Sequence, residues 1–441
     1  MSAACTWVRA FGERVVLGGV FALLVGWPLF AEPPKADPAE VYRPSLVPDR
    51  ILLSIPGDPS RTMAVTWRTS TVIEQAWAEI TRATAEPLSG STPRRIPART
   101  ERLETDLFEA HYHTVIFEDL APQTRYAYRV GDGVNWSPWH HFQTASDKPE
   151  PFRFLYFGDA QNDIASHWSR VIREAFQTEP RAAFLLHAGD LINRWNRDAE
   201  WGEWHAAGGW INGCIPSIAA AGNHEYGGVP PLSSVLTPNW RAQFEFPRNG
   251  PEGLHETVYY FDYQAARIVV LNSNLAFQEQ ATWLESVLRD HDRPWTIVSM
   301  HHPIYSARPG RDNPVIRSLW KPLFDRYRVA LVLQGHDHSY MRSGLLGESA
   351  PDEPIQRQMS GGTVYVISVS GPKMYDLGWQ PFTRRAARNT QMYQVIEVAV
   401  DKLRFEARMA DGRLYDAFHL TRNADGSVQL HDEIPSVPDR R

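Results

Sequence analysis

Cysteine is almost absent from this chain of 441 residues, which contains two, Cys5 and Cys214. Cys5 precedes an apolar segment that we expect to be removed, so Cys214 would remain alone. A protein with a single cysteine has no internal disulfide and depends on its core for stability. Because Cys214 lies in an apolar stretch, we interpret it as a buried structural thiol.

Long runs of Lys and Arg are also missing, and the formal net charge is -6. No nucleic-acid partner is therefore indicated, and an anionic substrate would need local positive charge to attract it. The hydrophobic fraction of 43% predicts a globular protein rather than a disordered one. A chain of this length can form two or three domains with ample core.

An apolar run long enough for a typical bilayer span is missing as well. Arg9 and Arg14 precede a shorter apolar run over 15–30, which Pro28 interrupts. This layout predicts a signal peptide over 1–31, cut after Ala31, and a secreted or periplasmic protein. No stable membrane partner is then expected; the alternative is an uncleaved leader that anchors the protein in a membrane. A linker over 32–46 follows.

Residues 47–146 show the period-two alternation of β-strands. Met63, Val65 and Trp67 would share one face of a strand, and turns rich in proline separate such segments. The pattern Leu-x-Pro-x-Thr-x-Tyr ends at Tyr126, whose hydroxyl can bond back to the backbone at a corner. This region resembles a fibronectin type III domain, which implies an all-β sandwich.

Residues 150–425 have a different period, because short apolar strands alternate with helical segments and bare strands close the region. This order predicts an α/β fold built as a layered sandwich on mixed sheets. The remainder, 426–441, is polar and is predicted to be a loose tail.

Polar clusters follow five of the predicted strands. The strongest is Gly335-His336-Asp337-His338, whose two histidines point to opposite sides of an extended backbone and so suit one ligand for each of two adjacent metals. The other four clusters are 158–161, 189–193, 222–226 and 301–303. Each alone is also explained as a helix cap, a turn or a loop. Five such clusters, one after each of five successive predicted strands, favour a metal site.

This ordered set resembles the metallophosphoesterase (calcineurin-like) superfamily, and with the β-sandwich in front it looks most like the purple acid phosphatases. The resemblance implies a layered α/β/β/α sandwich and two bound metal ions. A first-metal group and a second-metal group would share Asp190 as the bridging ligand. The first-metal group is Asp159, Asp190 and His338; the second-metal group is Asp190, Asn223, His301 and His336.

Two positions depart from the purple enzymes. Their tyrosine, three residues after the bridging aspartate, is Asn193 here, a weak ligand at most. We therefore predict that the protein is not purple and that ferric iron is less favoured. Gln161 stands where they have glycine, and it would be either a weak ligand or a residue that orients water. The metal identity stays open among iron, manganese and zinc.

The resemblance implies hydrolysis of phosphate monoesters on a small phosphorylated substrate, by metal-activated water attacking phosphorus. With Asp190 as the bridge, His224 would protonate the leaving oxygen, and Glu225 would orient an imidazole. His302 would contact phosphate or bond to a loop carbonyl. Tyr340 and Arg342 match residues of the purple enzymes, and Arg342 would bind substrate or pair with a carboxylate.

Two other functions stay open from the sequence. The same metal centre would serve a phosphodiesterase or nucleotide hydrolase, because the superfamily shares its core across these substrates. A non-catalytic surface protein that uses the β-sandwich for adhesion is the third. The oligomeric state is not predicted.

Overall fold

A computed structural model describes residues 35–88, 92–228, 234–347 and 361–440, with the backbone of 357–358. The predicted signal peptide lies outside these residues. The strands of the N-terminal domain are β1 (Asp49–Ser54), β2 (Met63–Thr69), β3 (Trp77–Arg82), β4 (Arg94–Pro97), β5 (Arg99–Glu104), β6 (Glu109–Phe117), β7 (Arg125–Gly131) and β8 (His140–Gln143).

The N-terminal domain is the predicted β-sandwich. Strands β1, β2, β6 and β5 pair in that order, and β4, β3, β7 and β8 form the facing sheet. Met63, Val65 and Trp67 point into the core between the sheets, as their alternation predicts. The Tyr126 hydroxyl accepts a hydrogen bond from the Ala121 N–H at 2.8 Å, which closes the predicted corner.

The other face of β2 is buried as well, because it packs on the second domain. The Thr66 hydroxyl donates to the Gln243 carbonyl at 2.5 Å. Arg50 pairs with Asp198 at 2.7 Å, and both side chains are buried. Each charge of such a buried pair depends on the other, because removal of one leaves an uncompensated buried charge. The two domains therefore share a buried polar contact in addition to apolar packing.

The remaining strands belong to the second domain. They are β9 (Phe152–Phe157), β10 (Leu185–His187), β11 (Ser217–Ala219), β12 (Tyr226–Gly227), β13 (Val235–Leu236), β14 (Tyr259–Tyr263), β15 (Ala266–Val270), β16 (Trp295–Ser299), β17 (Leu331–Gln334), β18 (Tyr340–Leu346), β19 (Arg357–Gln358), β20 (Thr363–Ile367), β21 (Thr383–Ala387), β22 (Met392–Val398), β23 (Lys402–Met409), β24 (Leu414–Arg422) and β25 (Val428–Asp432). The helices are α1 (Pro38–Val41), α2 (Ser169–Thr178), α3 (Asp198–Gly208), α4 (Pro238–Gln243), α5 (Phe277–Arg289) and α6 (Pro314–Arg326).

Two sheets pack face to face in the second domain. One runs β25-β24-β23-β22-β9-β10-β11 and continues through β1 into the N-terminal sheet; the other contains β14-β15-β16-β17-β20-β18-β19, with β21 beside β18. Apolar side chains of both sheets form one core. Helix α2 packs on the first sheet, and α5 and α6 pack on the second. This is the predicted α/β/β/α sandwich.

The strands that carry the motifs run in parallel within each sheet. In the first sheet β9, β10 and β11 are parallel neighbours, and in the second β15, β16, β17 and β20 are. The carboxyl ends of parallel strands lie at one edge of a sheet, where open α/β sheets bind ligands.

Three predictions about the ends and the cysteine need correction. The predicted loose tail contains strand β25, which pairs antiparallel with β24 and buries Val428. Within the predicted linker, 38–41 are helical, and the Tyr42 carbonyl accepts a hydrogen bond from Arg68 at 2.9 Å. Cys214 is half-buried rather than buried.

Within the described ranges, no helix is long and apolar enough to cross a bilayer.

Candidate metal centre

Five strand ends bring the predicted ligands together. Asp159 follows β9, Asp190 follows β10 and Asn223 follows β11; His301 follows β16, and His336 and His338 follow β17. Glycine is required in these turns because there is no room for a side chain. A Cβ at Gly222 would lie 2.2 Å from Asp190 Oδ1, and one at Gly335 would lie 2.5 Å from Asp159 Oδ2. The glycines therefore let the ligand loops touch.

Four of the predicted ligands have left-handed backbone. The φ angles are 37° for Asp159, 51° for Asp190, 73° for His336 and 46° for His338. Such conformations cost roughly 1–3 kcal/mol each for residues other than glycine and persist where surrounding contacts impose them. The Asp159 carboxylate supplies one such contact, since it accepts the His336 N–H at 2.8 Å. Strain of this kind is typical of a functional site.

The second-metal group converges on one atom, Nε2 of His301. Its Nδ1–H donates to the Ala188 carbonyl at 2.9 Å, which directs Nε2 into the site. Asp190 Oδ2 lies 3.1 Å from this Nε2. Asn223 Oδ1 and His336 Nδ1 each lie 3.1 Å from it. Lone pairs of carboxylate, amide and imidazole thus face one point, which is the donor set a divalent cation requires.

The first-metal group is looser. His338 donates Nδ1–H to the Lys373 carbonyl at 3.0 Å, so Nε2 faces the site, 3.6 Å from Asp159 Oδ1. The Gln161 amide lies between ligands, because its Nε2 is 2.7 Å from Asp190 Oδ2 and 3.3 Å from His338 Nε2. Its Oε1 is buried without a hydrogen-bond partner among the described residues. A metal on Asp159, Asp190 and His338 would therefore meet this amide.

Burial and charge control the protonation of these groups. Burial lowers the pKa of His301, but the Asp190 and Asp159 carboxylates outweigh it and raise that pKa to about 9. Burial lowers the pKa of His338 to about 3, and burial with the His301 charge lowers that of His302 to about 3. Two carboxylates buried together thus demand positive charge, while neutral imidazoles offer lone pairs. These residues fit a pair of metal ions.

His224 lies beside this centre without joining either ligand group. Its backbone N–H donates to Asp190 Oδ1 at 2.8 Å, and its ring Nδ1–H donates to the Asn193 carbonyl at 2.5 Å. The ring Nε2 is 3.9 Å from Asp190 Oδ2, and the side chain is 27% exposed. The hydrogen bonds of Asn193 use its backbone, so among the described contacts its side chain binds nothing at the centre.

Glu225 does not orient an imidazole, contrary to the prediction. Its buried carboxylate accepts the backbone N–H groups of Asp190 at 2.8 Å, Leu191 at 2.8 Å and Gly222 at 2.7 Å. Unpaired N–H groups buried in two adjacent loops would each cost about 1–3 kcal/mol. Glu225 therefore fixes the loop of Asp190 against the loop of Asn223.

Asp337 is a structural residue that the sequence reasoning did not assign. One carboxylate oxygen accepts from the Ser306 hydroxyl and the Ala307 N–H, both at 2.6 Å, and the other accepts from Arg311 at 2.9 Å. These partners lie 26–31 positions earlier, so the motif itself gives no signal for them. Asp337 thus fastens the 306–311 loop beside His336 and His338.

His302 lies next to the second-metal group. Its ring centroid is 4.2 Å from that of His336, and Nδ1 lies 2.9 Å from the Ser273 hydroxyl. Among the described contacts, the His302 ring therefore bonds to a hydroxyl and to no loop carbonyl.

Tyr340 and Arg342 are not at the centre, so their predicted substrate contacts are wrong. Arg342 instead has its alternative role, pairing with a carboxylate. Tyr340 donates to Asp416 Oδ2 at 2.7 Å, and Arg342 pairs with the same carboxylate at 2.6 Å. Both residues are fully buried. The pair joins β18 to β24 and serves packing.

Two family models match the chain. Residues 152–340 match the calcineurin-like phosphoesterase model, and residues 48–144 match that of the N-terminal domain of purple acid phosphatases. Fold and centre thus define a calcineurin-like metallophosphoesterase, a class of phosphoester hydrolases.

Relatives and solved structures refine that class. The chain is 27% identical to human acid phosphatase type 7 over 335 residues, which is 68% of this chain and 71% of that protein. It is 27% identical to Fe(3+)-Zn(2+) purple acid phosphatase 12 of Arabidopsis thaliana over 256 residues, covering 53% of this chain and 52% of that protein. A purple acid phosphatase from Lupinus luteus seeds has the same fold, with a TM-score of 0.73 and 19% identity over 86% of this chain and 75% of that one. The chain therefore carries a calcineurin-like metallophosphoesterase domain and resembles the purple acid phosphatases in both of its domains.

Proposed function

We propose that this protein is an exported phosphomonoesterase of the acid phosphatase kind that uses two metal ions. The observation that carries the proposal is the position of Asp190. Its Oδ2 is 3.1 Å from His301 Nε2 of the second-metal group. The same oxygen is 2.7 Å from Gln161 Nε2, which lies 3.3 Å from His338 Nε2 of the first-metal group, so one carboxylate faces both ligand groups.

The metal pair would be held by the first-metal and second-metal groups. When bound, it would lower the pKa of water to supply a nucleophile and hold the phosphate oxygens. Gln161 would turn its unpartnered Oε1 to the first metal, because that oxygen is the ligand atom of the amide. Iron, manganese and zinc all accept such mixed oxygen and nitrogen ligands.

His224 would protonate the leaving oxygen. Since the Asn193 carbonyl holds the Nδ1–H, the proton available for transfer is the one on Nε2. Its place outside both ligand groups supports this role, because a general acid must be free of the metals. His302, beside His336, would donate a hydrogen bond to a phosphate oxygen.

Export rests on the pattern of residues 1–31, in which two arginines precede a short apolar run and Ala31. The substrate would be a small phosphorylated molecule outside the cytoplasm. Mass spectrometry of the protein purified from its native host would check this part: a mature chain that begins after Ala31 supports it, and an intact leader would refute cleavage.

The activity is tested by comparing p-nitrophenyl phosphate with bis(p-nitrophenyl) phosphate on protein loaded with iron, manganese or zinc. We expect kcat/KM to be at least roughly tenfold higher for the monoester, because two metals and two histidines match a dianionic phosphate. Preference for the diester would overturn the monoesterase assignment. Inertness towards both, in protein shown to hold metal, would overturn the enzymatic role.

A further inference from the structure

The peptide group that joins Asn193 to Arg194 lies between the side chains of His224 and Glu200. Its carbonyl accepts the Nδ1–H of His224 at 2.5 Å, and its N–H donates to Glu200 Oε2 at 2.8 Å. A trans peptide is planar, and its C=O and N–H point in opposite directions, so an acceptor on the N–H side fixes the direction of the carbonyl. Glu200 therefore determines where this carbonyl points, and the carbonyl holds the His224 ring.

Further hydrogen bonds join Glu200 to the same loop. Its Oε2 also accepts the Asn193 N–H at 2.7 Å, and its Oε1 accepts from Arg194 Nε at 2.7 Å. Glu200 is buried, and hydrogen bonds to a charged acceptor are roughly twice as strong as those between neutral groups. The 193–194 peptide is thus held firmly by a residue that lies outside the metal-site motifs.

Glu200 lies in the first turn of α3, and the N-terminal domain fastens that end of the helix. Arg50 of β1 pairs with the Asp198 carboxylate at 2.7 Å, and Arg68 of β2 lies 3.4 Å from it. Asp106, between β5 and β6, accepts the Asp198 N–H at 2.8 Å. Because the paired side chains are buried, water cannot replace a lost partner. The N-terminal domain therefore sets the position of α3 and, with it, that of Glu200.

Glu200 differs from Glu225, the buried carboxylate that supports the metal ligands. Glu225 accepts the N–H groups of Asp190 and Gly222. Among the described contacts, the carboxylate of Glu200 bonds to residues 193–194 and reaches neither ligand group. Loss of Glu200 should therefore change the placement of His224 and leave the metals in place.

We infer that Glu200 is the positioning residue of the general acid, and that the N-terminal β-sandwich takes part, through Asp198, in protonation of the leaving group. This rests on the proposed function, in which His224 protonates the leaving oxygen. With Nδ1–H held by the Asn193 carbonyl, the ring is fixed in one orientation for delivery of the Nε2 proton. A misplacement of about 1 Å, caused far from the chemistry, can cost roughly 10²-fold in rate.

The test compares metal-loaded Glu200→Ala with the wild-type protein on two monoesters. Phenolate is a poor leaving group that depends on protonation, whereas p-nitrophenolate is stable as an anion and leaves with little help. We expect kcat for phenyl phosphate to fall at least roughly tenfold, as for loss of a general acid, and kcat for p-nitrophenyl phosphate to fall less than about threefold. Metal content should be unchanged. An equal fall on both esters would show a merely structural role and overturn the inference.

Three further variants isolate the hydrogen bonds of Glu200. Glu200→Gln keeps an oxygen that accepts both N–H groups and should restore most of the phenyl phosphate activity that Glu200→Ala loses. Glu203→Ala, on the same helix, removes a carboxylate that accepts the Ala165 N–H at 3.2 Å, and it should leave both rates unchanged. In a His224→Ala background, Glu200→Ala should cause no further loss, because coupled residues are not additive. A glutamine variant as slow as alanine, or an additive loss, would contradict the role.

A readout that needs no metal is the NMR signal of the histidine ring N–H groups. The His224 Nδ1–H should exchange slowly with solvent in the wild-type protein, because a carbonyl holds it, and His224→Ala assigns the signal. Glu200→Ala should speed this exchange or remove the signal. An unchanged signal would show that Glu200 does not position the ring.

Asp198→Asn tests the part played by the N-terminal domain. The amide keeps the size of the carboxylate and loses the charge that Arg50 and Arg68 meet, so kcat for phenyl phosphate should again fall selectively. If this variant does not fold, Asp106→Ala, at a partly exposed side chain, takes its place. An unchanged ratio of the two rates would overturn the domain's part. If the wild-type protein holds metal and hydrolyses neither ester, the proposed function fails; if it hydrolyses both and the ratio is the same in Glu200→Ala, this inference alone fails.

Discussion

The two ligand groups that share Asp190 differ in how closely their atoms converge. In the second-metal group, oxygen of Asp190, oxygen of Asn223 and nitrogen of His336 all lie 3.1 Å from His301 Nε2. In the first-metal group, His338 Nε2 is 3.6 Å from Asp159, and the Gln161 amide intervenes. Asn193 stands where the purple enzymes have tyrosine, and its hydrogen bonds to Glu200 and His224 use its backbone. We expect one tight and one weak metal site as a result, since affinity follows ligand number and geometry.

Asp190→Asn should disable both ligand groups, because both use this carboxylate. Loss of a partner that merely supports a ligand costs roughly 10–100-fold in metal affinity, and loss of the shared ligand should cost more. We expect both metals and nearly all activity to disappear, measured by elemental analysis and monoester hydrolysis. Asp292→Asn, on a side chain that is 91% exposed, is the matched control. Two retained metals in Asp190→Asn would disprove the bridging role.

His224→Ala should leave the metal affinities of both sites unchanged and should slow turnover. Because His224 lies outside both groups, the variant should keep its metals and lose roughly 10²–10⁴-fold in kcat, the usual contribution of a general acid. Metal content and kcat are measured on the same sample. Release of metal would show that His224 is a ligand.

Chelator titration measures the difference in metal affinity between the two sites directly. We expect two release steps whose apparent affinities differ by roughly tenfold or more, since the first-metal group offers fewer convergent atoms. Asp159→Asn should remove the weaker step and keep the stronger one. A single step that releases both ions together would contradict the asymmetry.

Asn193→Tyr should have the smallest effect of these variants. It should strengthen the first metal site and so reduce the difference in metal affinity between the two sites. A phenolate at this position would add a ligand to the first metal, and iron-loaded protein should turn purple, as in the enzymes whose tyrosine it restores. Asn193→Phe has the same ring without the oxygen and should stay colourless. The visible absorption spectrum is the measurement, and a colourless tyrosine variant would show that residue 193 does not reach the first metal.

The strand ends and their ligands were predictable because the signal is local. An apolar run, a glycine and a polar residue follow one another within a few positions, and the structure brings Asp159, Asp190, Asn223, His301, His336 and His338 to one place. Local signal also predicted the alternation of Met63, Val65 and Trp67, which faces the sandwich core.

Long-range partners were not predictable. Glu225 accepts backbone N–H groups 33–35 positions earlier in the chain, and Arg342 meets Asp416 74 positions later. The motif left two roles open for Arg342, substrate binding or pairing with a carboxylate, because it says nothing about which carboxylate the side chain meets. Strand β25 was not predicted because only one of its five residues, Val428, is buried, and because its register comes from pairing with β24.

The most direct test is a crystal structure of the metal-loaded protein with anomalous scattering recorded at the metal edges. Two peaks are predicted, one among Asp190, Asn223, His301 and His336 and a weaker one at Asp159, Asp190 and His338. A single peak, or peaks that do not share Asp190, would contradict the account.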